Sequence, residues 1–183
     1  RLYGASGYSG RLQVNFGSER VEEAFDVGLK TIQAGRYESL KLHLSMRTPS
    51  NAPLRVEPFV ELGEYFGGSI ATAGTELDVR PMQALRFSGE LRYDHATFDE
   101  GGDFDSIVVN GSINADFMTN LGLKVQVGWS HLDSRVQVQS RLRWTYLPGS
   151  DLFLVYQADL DTEVDALSFQ SLQLKLTLRY PWG

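Results

Sequence analysis

A chain of 183 residues, 42% hydrophobic and 22% charged, is long enough for one domain with a sizeable core. Its formal charge of −6 argues against a general nucleic-acid binder, and the absence of cysteine rules out a disulfide framework and a thiolate metal site. No run of roughly 18 apolar residues occurs, which excludes a transmembrane helix. No basic-then-apolar leader opens the sequence, so an exported chain is expected here in processed form.

Helical periodicity is nearly absent. Only Glu19 to Ala24 could form a turn, and that stretch is too short to stand alone. Alternation with a period of two residues predicts strands near 2–8, 11–18, 24–33, 37–47, 54–63, 67–79, 83–97, 104–117, 121–132, 135–147, 150–160 and 168–181. That is about twelve strands; the first is poor, so ten or eleven remain possible. In chain order, Leu40, Leu42, Leu44 and Met46 oppose Lys41, His43 and Arg47. Leu85, Phe87, Gly89, Leu91 and Tyr93 oppose Arg86, Ser88, Glu90, Arg92 and Asp94. Val136, Val138, Leu142, Trp144 and Tyr146 oppose Arg135, Gln137, Gln139, Arg141 and Arg143. The strand at 150–160 fits less well, because Phe153 and Val155 put apolar groups on its polar side. Near Phe169 to Leu172 the parity slips by one residue, which predicts a bulge. Leu174, Leu176, Leu178, Tyr180 and Trp182 then alternate with Lys175, Thr177 and Arg179 up to the end of the sequence. An apolar face ending in an aromatic resembles the closing strand of a bacterial outer-membrane barrel.

Several predicted strands exceed ten residues, long for globular strands and natural for tilted membrane strands. The connections fall into two groups. Tight turns at Pro148-Gly149-Ser150, Thr119-Asn120 and Arg80-Pro81-Met82 share one end. The other end carries longer loops: 63–68, 99–103 and the acidic stretch 159–165. Such asymmetry puts short turns in the periplasm and long loops outside. Trp129, Trp144, Tyr146, Tyr180 and Trp182 all fall on the apolar parity near strand ends, where aromatic girdles meet the membrane interface.

Arg141-Leu142-Arg143-Trp144-Thr145-Tyr146-Leu147-Pro148-Gly149-Ser150, with Gly63-Glu64-Tyr65-Phe66-Gly67-Gly68 and Arg80-Pro81, resembles the C-terminal β-barrel of a family of uncharacterised bacterial outer-membrane proteins. Longer members of that family carry an N-terminal carbohydrate-binding-like module. The resemblance covers roughly residues 54 to 183 and carries no assigned binding or catalytic residue. The expected fold is all-β, an antiparallel up-and-down transmembrane β-barrel of about 10–12 strands formed as a single domain by residues 1–183.

With the apolar face toward lipid, the other parity lines a lumen. The lumen-lining candidates are Arg86, Glu90, Arg92, Arg141, Arg143, Lys175, Arg179, Glu57 and Glu61, a mixed and slightly basic set. Arg141, Arg143, Lys175 and Arg179 would share one wall and repel each other unless anions or carboxylates compensate them, with Glu57, Glu61 and Glu90 as candidates. Two outcomes are open: a constriction that filters small polar or anionic solutes, or a narrow lumen filled by mutually neutralising side chains. Asp99, Glu100, Asp103 and Asp105 miss the spacing of a calcium loop, and no metal site is expected. His43, His95 and His131 assemble with no nucleophile by spacing, so neither an enzyme nor a cofactor is expected. The sequence thus points to a passive pore or structural protein of the outer membrane of a Gram-negative bacterium. Its partners would be membrane lipid, small polar or anionic solutes and a larger membrane assembly. Two alternatives stay open. One is a soluble or peripheral antiparallel sheet subunit for protein–protein interaction, whose alternation would be the same with the faces inverted. The other is an outer-membrane lipid-modifying enzyme.

Overall fold

The computed structural model describes residues 2–3, 7–27, 30–49, 51–98, 102–162 and 166–179. All regular structure among them is β: β1 (Leu2–Tyr3), β2 (Ser9–Val21), β3 (Phe25–Val27), β4 (Lys30–Ile32), β5 (Gly35–Arg47), β6 (Leu54–Tyr65), β7 (Gly68–Met82), β8 (Leu85–Phe98), β9 (Gly102–Met118), β10 (Leu121–Ser130), β11 (Arg135–Leu147), β12 (Ser150–Asp161) and β13 (Ala166–Thr177). Eleven of them form one sheet in the order β1-β2-β5-β6-β7-β8-β9-β10-β11-β12-β13. Each long strand thus neighbours the next in sequence, apart from the β3–β4 insertion. The expected fold class is the one found: all-β, antiparallel and up-and-down, with a strand number inside the expected range.

The chain divides into two compact units, Arg1–Leu77 with Glu90–Val108, and Asp78–Gly89 with Val109–Gly183. In the first unit, β2 and β5 pair from Ser9↔Arg47 to Val21↔Gly35. Alternation puts Leu12, Val14, Phe16, Leu40, Leu42, Leu44, Val60 and Leu62 on one face, and all are exposed. Leu44 is 57% exposed, whereas Ser45 beside it is buried and Lys41 and His43 are half-buried. On β8, Leu91 and Tyr93 are exposed while Asp94 is buried. A water-soluble sheet buries the leucines and exposes the charges; these strands do the reverse.

The apolar core of this unit lies on the polar-parity face. Val21, Ile32, Ile70, Ala96 and Phe98 are buried together, with Tyr37, Tyr65, Phe66 and Phe104 packed against them. The sheet residues of this cluster sit where β2, β5, β6, β7, β8 and β9 meet the loops at one end. There the charged parity turns apolar: Asp94 is followed by Ala96 and Phe98, and Thr72 is preceded by Ile70.

The hairpin β3–β4 supplies Ile32, which is only 1% exposed. Residues 24–33, expected as one strand of the sheet, are therefore a separate two-stranded hairpin. The physical reason is in the register: Val21 already faces Gly35, so β2 and β5 pair directly and the residues between them are surplus to the sheet. Of the strand expected at 2–8, Leu2 and Tyr3 pair with Gly10 and Ser9, and residues 4–6 lie outside the described residues. Nor is 63–68 a long loop: β6 runs to Tyr65 and β7 starts at Gly68. Phe66 (φ 45) and Gly67 (φ 80) form the turn, both left-handed as a two-residue type I′ hairpin requires. Phenylalanine is costly in that region. Edge-on contacts with Phe25, Tyr37 and Tyr65, at centroid distances of 5.5, 5.3 and 4.7 Å, hold it there.

In the second unit, β10, β11, β12 and β13 run in continuous antiparallel register. Two irregularities interrupt it. The β12–β13 pairing passes from Asp159↔Phe169 to Leu160↔Leu167, so Ser168 is the extra residue, and its hydroxyl donates to the Asp159 carbonyl at 2.9 Å. The bulge expected near Phe169 is there, one residue earlier. A second shift lies between Thr145 and Leu147 on β11.

Candidate functional site

The polar-parity face holds most of the molecule's titratable chemistry, and its charges are arranged in two ways. On β5, β6 and β8 the cations are neutralised by near neighbours. Glu57 is bound by Arg47, whose Nε donates at 2.5 Å, and by the Ser45 hydroxyl at 3.1 Å. Glu61 lies 3.7 Å from Lys41 Nζ and 3.5 Å from His43 Nδ1. Buried Asp94 accepts from the Thr72 hydroxyl at 2.6 Å and from Arg92 Nε at 2.9 Å. Phe59 stacks on His43 at 5.7 Å, and its ring lies across Gly74, where a Cβ would come within 2.5 Å of it. In the second unit, Asp78 accepts from Arg86 Nε at 2.5 Å and lies 3.5 Å from Arg80 Nε. Of the expected lining residues, Glu57 and Glu61 thus answer to cations of the neighbouring strand β5, and Arg86 and Arg92 to Asp78 and Asp94. Half-buried Glu90 has no ion-pair partner among the described residues.

On β10 to β13, Arg135 faces Asp161 across the β11–β12 ladder, but the other cations of these strands are not ion-paired among the described residues. Lys124 and Arg141 are directly opposite each other, and Arg143 and Lys175 flank Phe153 from either side. None of these four has an ion-pair partner among the described residues. The Arg141 guanidinium lies 4.5 Å from the centre of the Phe153 ring. That contact gives the apolar residue on the polar side a purpose, since an aromatic face attracts a guanidinium. The next rung is all amide, Gln126, Gln139 and Gln157. A recess of about 540 Å³ opens beside Lys124, between Arg80, Arg86, Ser88, Ser112, Asn114 and Asp116. Arg179 stands apart from these rungs: its stem packs over Gly149, which holds φ +82 in the turn, and its amide donates to the Ser150 hydroxyl at 3.1 Å.

The opposite face carries the aromatics expected in the girdle. Trp144 and Tyr146 lie 6.0 Å apart, and Trp129 lies 6.1 Å from His131. An open groove of about 280 Å³ is lined by Leu121, Leu142, Trp144, Leu152 and Leu154, with no polar side chain. Tyr180 and Trp182, expected in the same girdle, lie outside the described residues, as do Asp99 and Glu100. Sequence reasoning missed one cluster on this face: the Tyr93 hydroxyl (2.5 Å) and His95 Nδ1 (2.8 Å) both bind the Asp105 carboxylate. Alternation put all three on one parity, but no spacing rule pairs β8 with β9. Asp105 precedes 107–117, a stretch of the length that crosses a bilayer as a tilted strand. The Tyr93 hydrogen bond first, and that from His95 second, hold its carboxyl below the ordinary value of 3.8.

No known protein family matches the chain, and no curated protein does. Among solved structures, the KdgM porin in complex with disordered oligogalacturonate is similar over 90% of both chains, at 10% identity and a TM-score of 0.38. The class that this fold and its exposed apolar face define is the all-β up-and-down meander from which membrane barrels are built.

Proposed function

We propose that this chain forms a single transmembrane β-barrel in the bacterial outer membrane, acting as a passive pore for small anionic or polar solutes. One observation carries the membrane reading: on β5, Leu40, Leu42, Leu44 and Met46 are exposed while, between them, Lys41 and His43 are half-buried and Ser45 is buried. A sheet that turns its leucines outward and pairs its charges inward suits a hydrocarbon solvent. The solvent-side groove at Trp144, lined only by apolar side chains, fits an acyl chain.

The preference for anions rests on the β10–β13 wall. Lys124 opposite Arg141 is a like-charge rung, unfavourable in a sheet. Neither side chain is ion-paired among the described residues, although Asp116 lines the recess beside Lys124, so passing anions are an available counter-charge. The amide rung next to it can both donate to and accept from uncharged polar solutes.

The test is reconstitution. A folded barrel shows heat-modifiable mobility on gels, and a planar bilayer holding it should pass chloride more readily than potassium. Arg141→Glu should lower that ratio toward or below one. A monodisperse monomer in buffer without detergent would overturn the membrane reading; conductance with unchanged selectivity in Arg141→Glu would remove this wall from the conducting path.

A further inference from the structure

The outward face of the β2–β5 ladder changes character at one end. Its rungs on that face are Leu12/Leu44, Val14/Leu42, Phe16/Leu40, Ser18/Glu38 and Arg20/Arg36. Three greasy rungs are followed by one neutral-acidic rung and then by two arginines directly opposite each other. Arg36 Nε donates to the Ser18 hydroxyl at 2.9 Å, and neither guanidinium has a carboxylate partner among the described residues. Ser18, Arg20, Ala34, Gly35 and Arg36 line an open recess of about 620 Å³ between them.

Depth turns this arrangement into a site. Arg20 stands four residues beyond Phe16, which is 82% exposed and closes the apolar band. At about 3.4 Å per residue and a tilt near 45°, four residues rise roughly 10 Å along the membrane normal. The guanidinium pair therefore falls just outside the hydrocarbon, at the level of lipid phosphates. A planar guanidinium matches phosphate oxygens two at a time.

We infer that Ser18, Arg20 and Arg36 form a phosphate site on the outer wall of the barrel, occupied by the phosphomonoester headgroup of a membrane lipid, whose free doubly charged oxygens the choline-capped phosphodiester of phosphatidylcholine lacks. This rests on the membrane reading above. The phosphate could come from lipid or from solution, and both sources share the same recognition. Two opposed arginines repel each other when empty and bridge a phosphate when it is present. The rung is thus mildly unfavourable without ligand and favourable with it.

The experiment compares unfolding midpoints of wild type and the Arg20→Gln/Arg36→Gln double variant in three preparations. These are phosphatidylcholine vesicles alone, the same vesicles with a diphosphorylated glycolipid (lipid A), and the same vesicles with its dephosphorylated form. Wild type should gain stability from lipid A and none from the dephosphorylated form. The double variant should lose that gain, its apparent affinity for lipid A falling at least about tenfold, roughly what one charge-assisted hydrogen bond supplies. In phosphatidylcholine alone it should equal or slightly exceed wild type, because the like-charge rung is gone. Both variant positions are exposed, so folding is preserved. A fourth arm adds inorganic phosphate to phosphatidylcholine vesicles. If it reproduces the full gain, the site stands with free phosphate as its ligand. Equal gains from both glycolipid forms, or an unchanged gain in the double variant, would overturn the site. Failure of wild type to insert into any vesicle would refute the membrane reading separately, and the inorganic phosphate arm, repeated in buffer without vesicles, then decides the site alone.

Discussion

Leu42→Arg puts the orientation of the sheet to a direct test. Leu42 sits near the middle of β5, between Val14 on β2 and Leu62 on β6, and all three side chains are exposed. Nothing packs above them, so the substitution opens no cavity. In water, such a surface change costs at most about 0.5 kcal/mol. In hydrocarbon, an arginine at mid-depth on the lipid face of a barrel costs about 2–4 kcal/mol. That shifts the folded-to-unfolded ratio by roughly 30-fold to nearly 1,000-fold. The same charge on the opposite face, as Gln13→Arg, meets His43 across the ladder rather than lipid and should cost about 0.5 kcal/mol or less. Urea unfolding in phosphatidylcholine vesicles, followed by tryptophan fluorescence and checked by heat-modifiable mobility, measures both variants. Equal, small effects of Leu42→Arg and Gln13→Arg would refute the claim that this face meets lipid.

Three further substitutions probe single side chains. Removing the carboxylate in Asp94→Ala leaves the Thr72 hydroxyl and Arg92 without their acceptor on a buried site, and should cost about 1–3 kcal/mol in the same unfolding assay, with Asp94→Asn milder. Ile32→Asp places a charge in the apolar cluster under the β3–β4 hairpin; loss of the buried side chain forfeits about 1.5–3 kcal/mol of docking, and single-channel conductance should rise if that hairpin narrows the lumen, against no change if it does not. Asp105 titrates below 3.8, so the stability it confers is present above that pH and is lost as pH falls through the lowered value. Tyr93→Phe removes the larger cause, so the acid loss measured by unfolding against pH should be smaller than in wild type and complete at a higher pH.

Alternation carried the fold because a two-sided sheet writes its faces into the sequence with period two, and a barrel wall has lipid on one side and water on the other. The strands from Leu85 onward were legible to within a few residues for that reason. The β3–β4 hairpin was not, because Phe25, Val27 and Ile32 look like any short strand in sequence, and only pairing shows that Val21 meets Gly35 across the insertion. A signal was nonetheless present: Val21, Tyr65, Ile70, Ala96, Phe98 and Phe104 are apolar on the charged parity, all at the same ends of their strands. Apolar residues on the charged parity need a cover, and 22–34 is surplus to the sheet at that end. The lining charges were legible as a set but not as pairs. Glu57 and Glu61 could have crossed a lumen; register puts Glu61 opposite His43 on β5, and Ser45 and Arg47 reach Glu57 from the same strand, so partners lie next door.

That local pairing bears on the charge of the lumen as a whole. Where each cation has its own carboxylate a strand or less away, as with Arg47 and Glu57 or Arg92 and Asp94, the pair presents little net field to a passing ion. On the proposed pore reading, the basic excess expected from the sequence lies mainly where β10 to β13 leave Lys124, Arg141, Arg143 and Lys175 without ion pairs among the described residues. Exposed charges farther apart than about 8 Å screen one another at physiological salt, so selectivity should come from this short stretch. Neutralising Arg141 and Arg143 together, as glutamines, should then remove most of the anion preference, while Arg47→Gln should leave it nearly intact. Equal losses from the two changes would mean that the field is set by the sum of all charges, and that pairing within the sheet does not decide what the barrel admits.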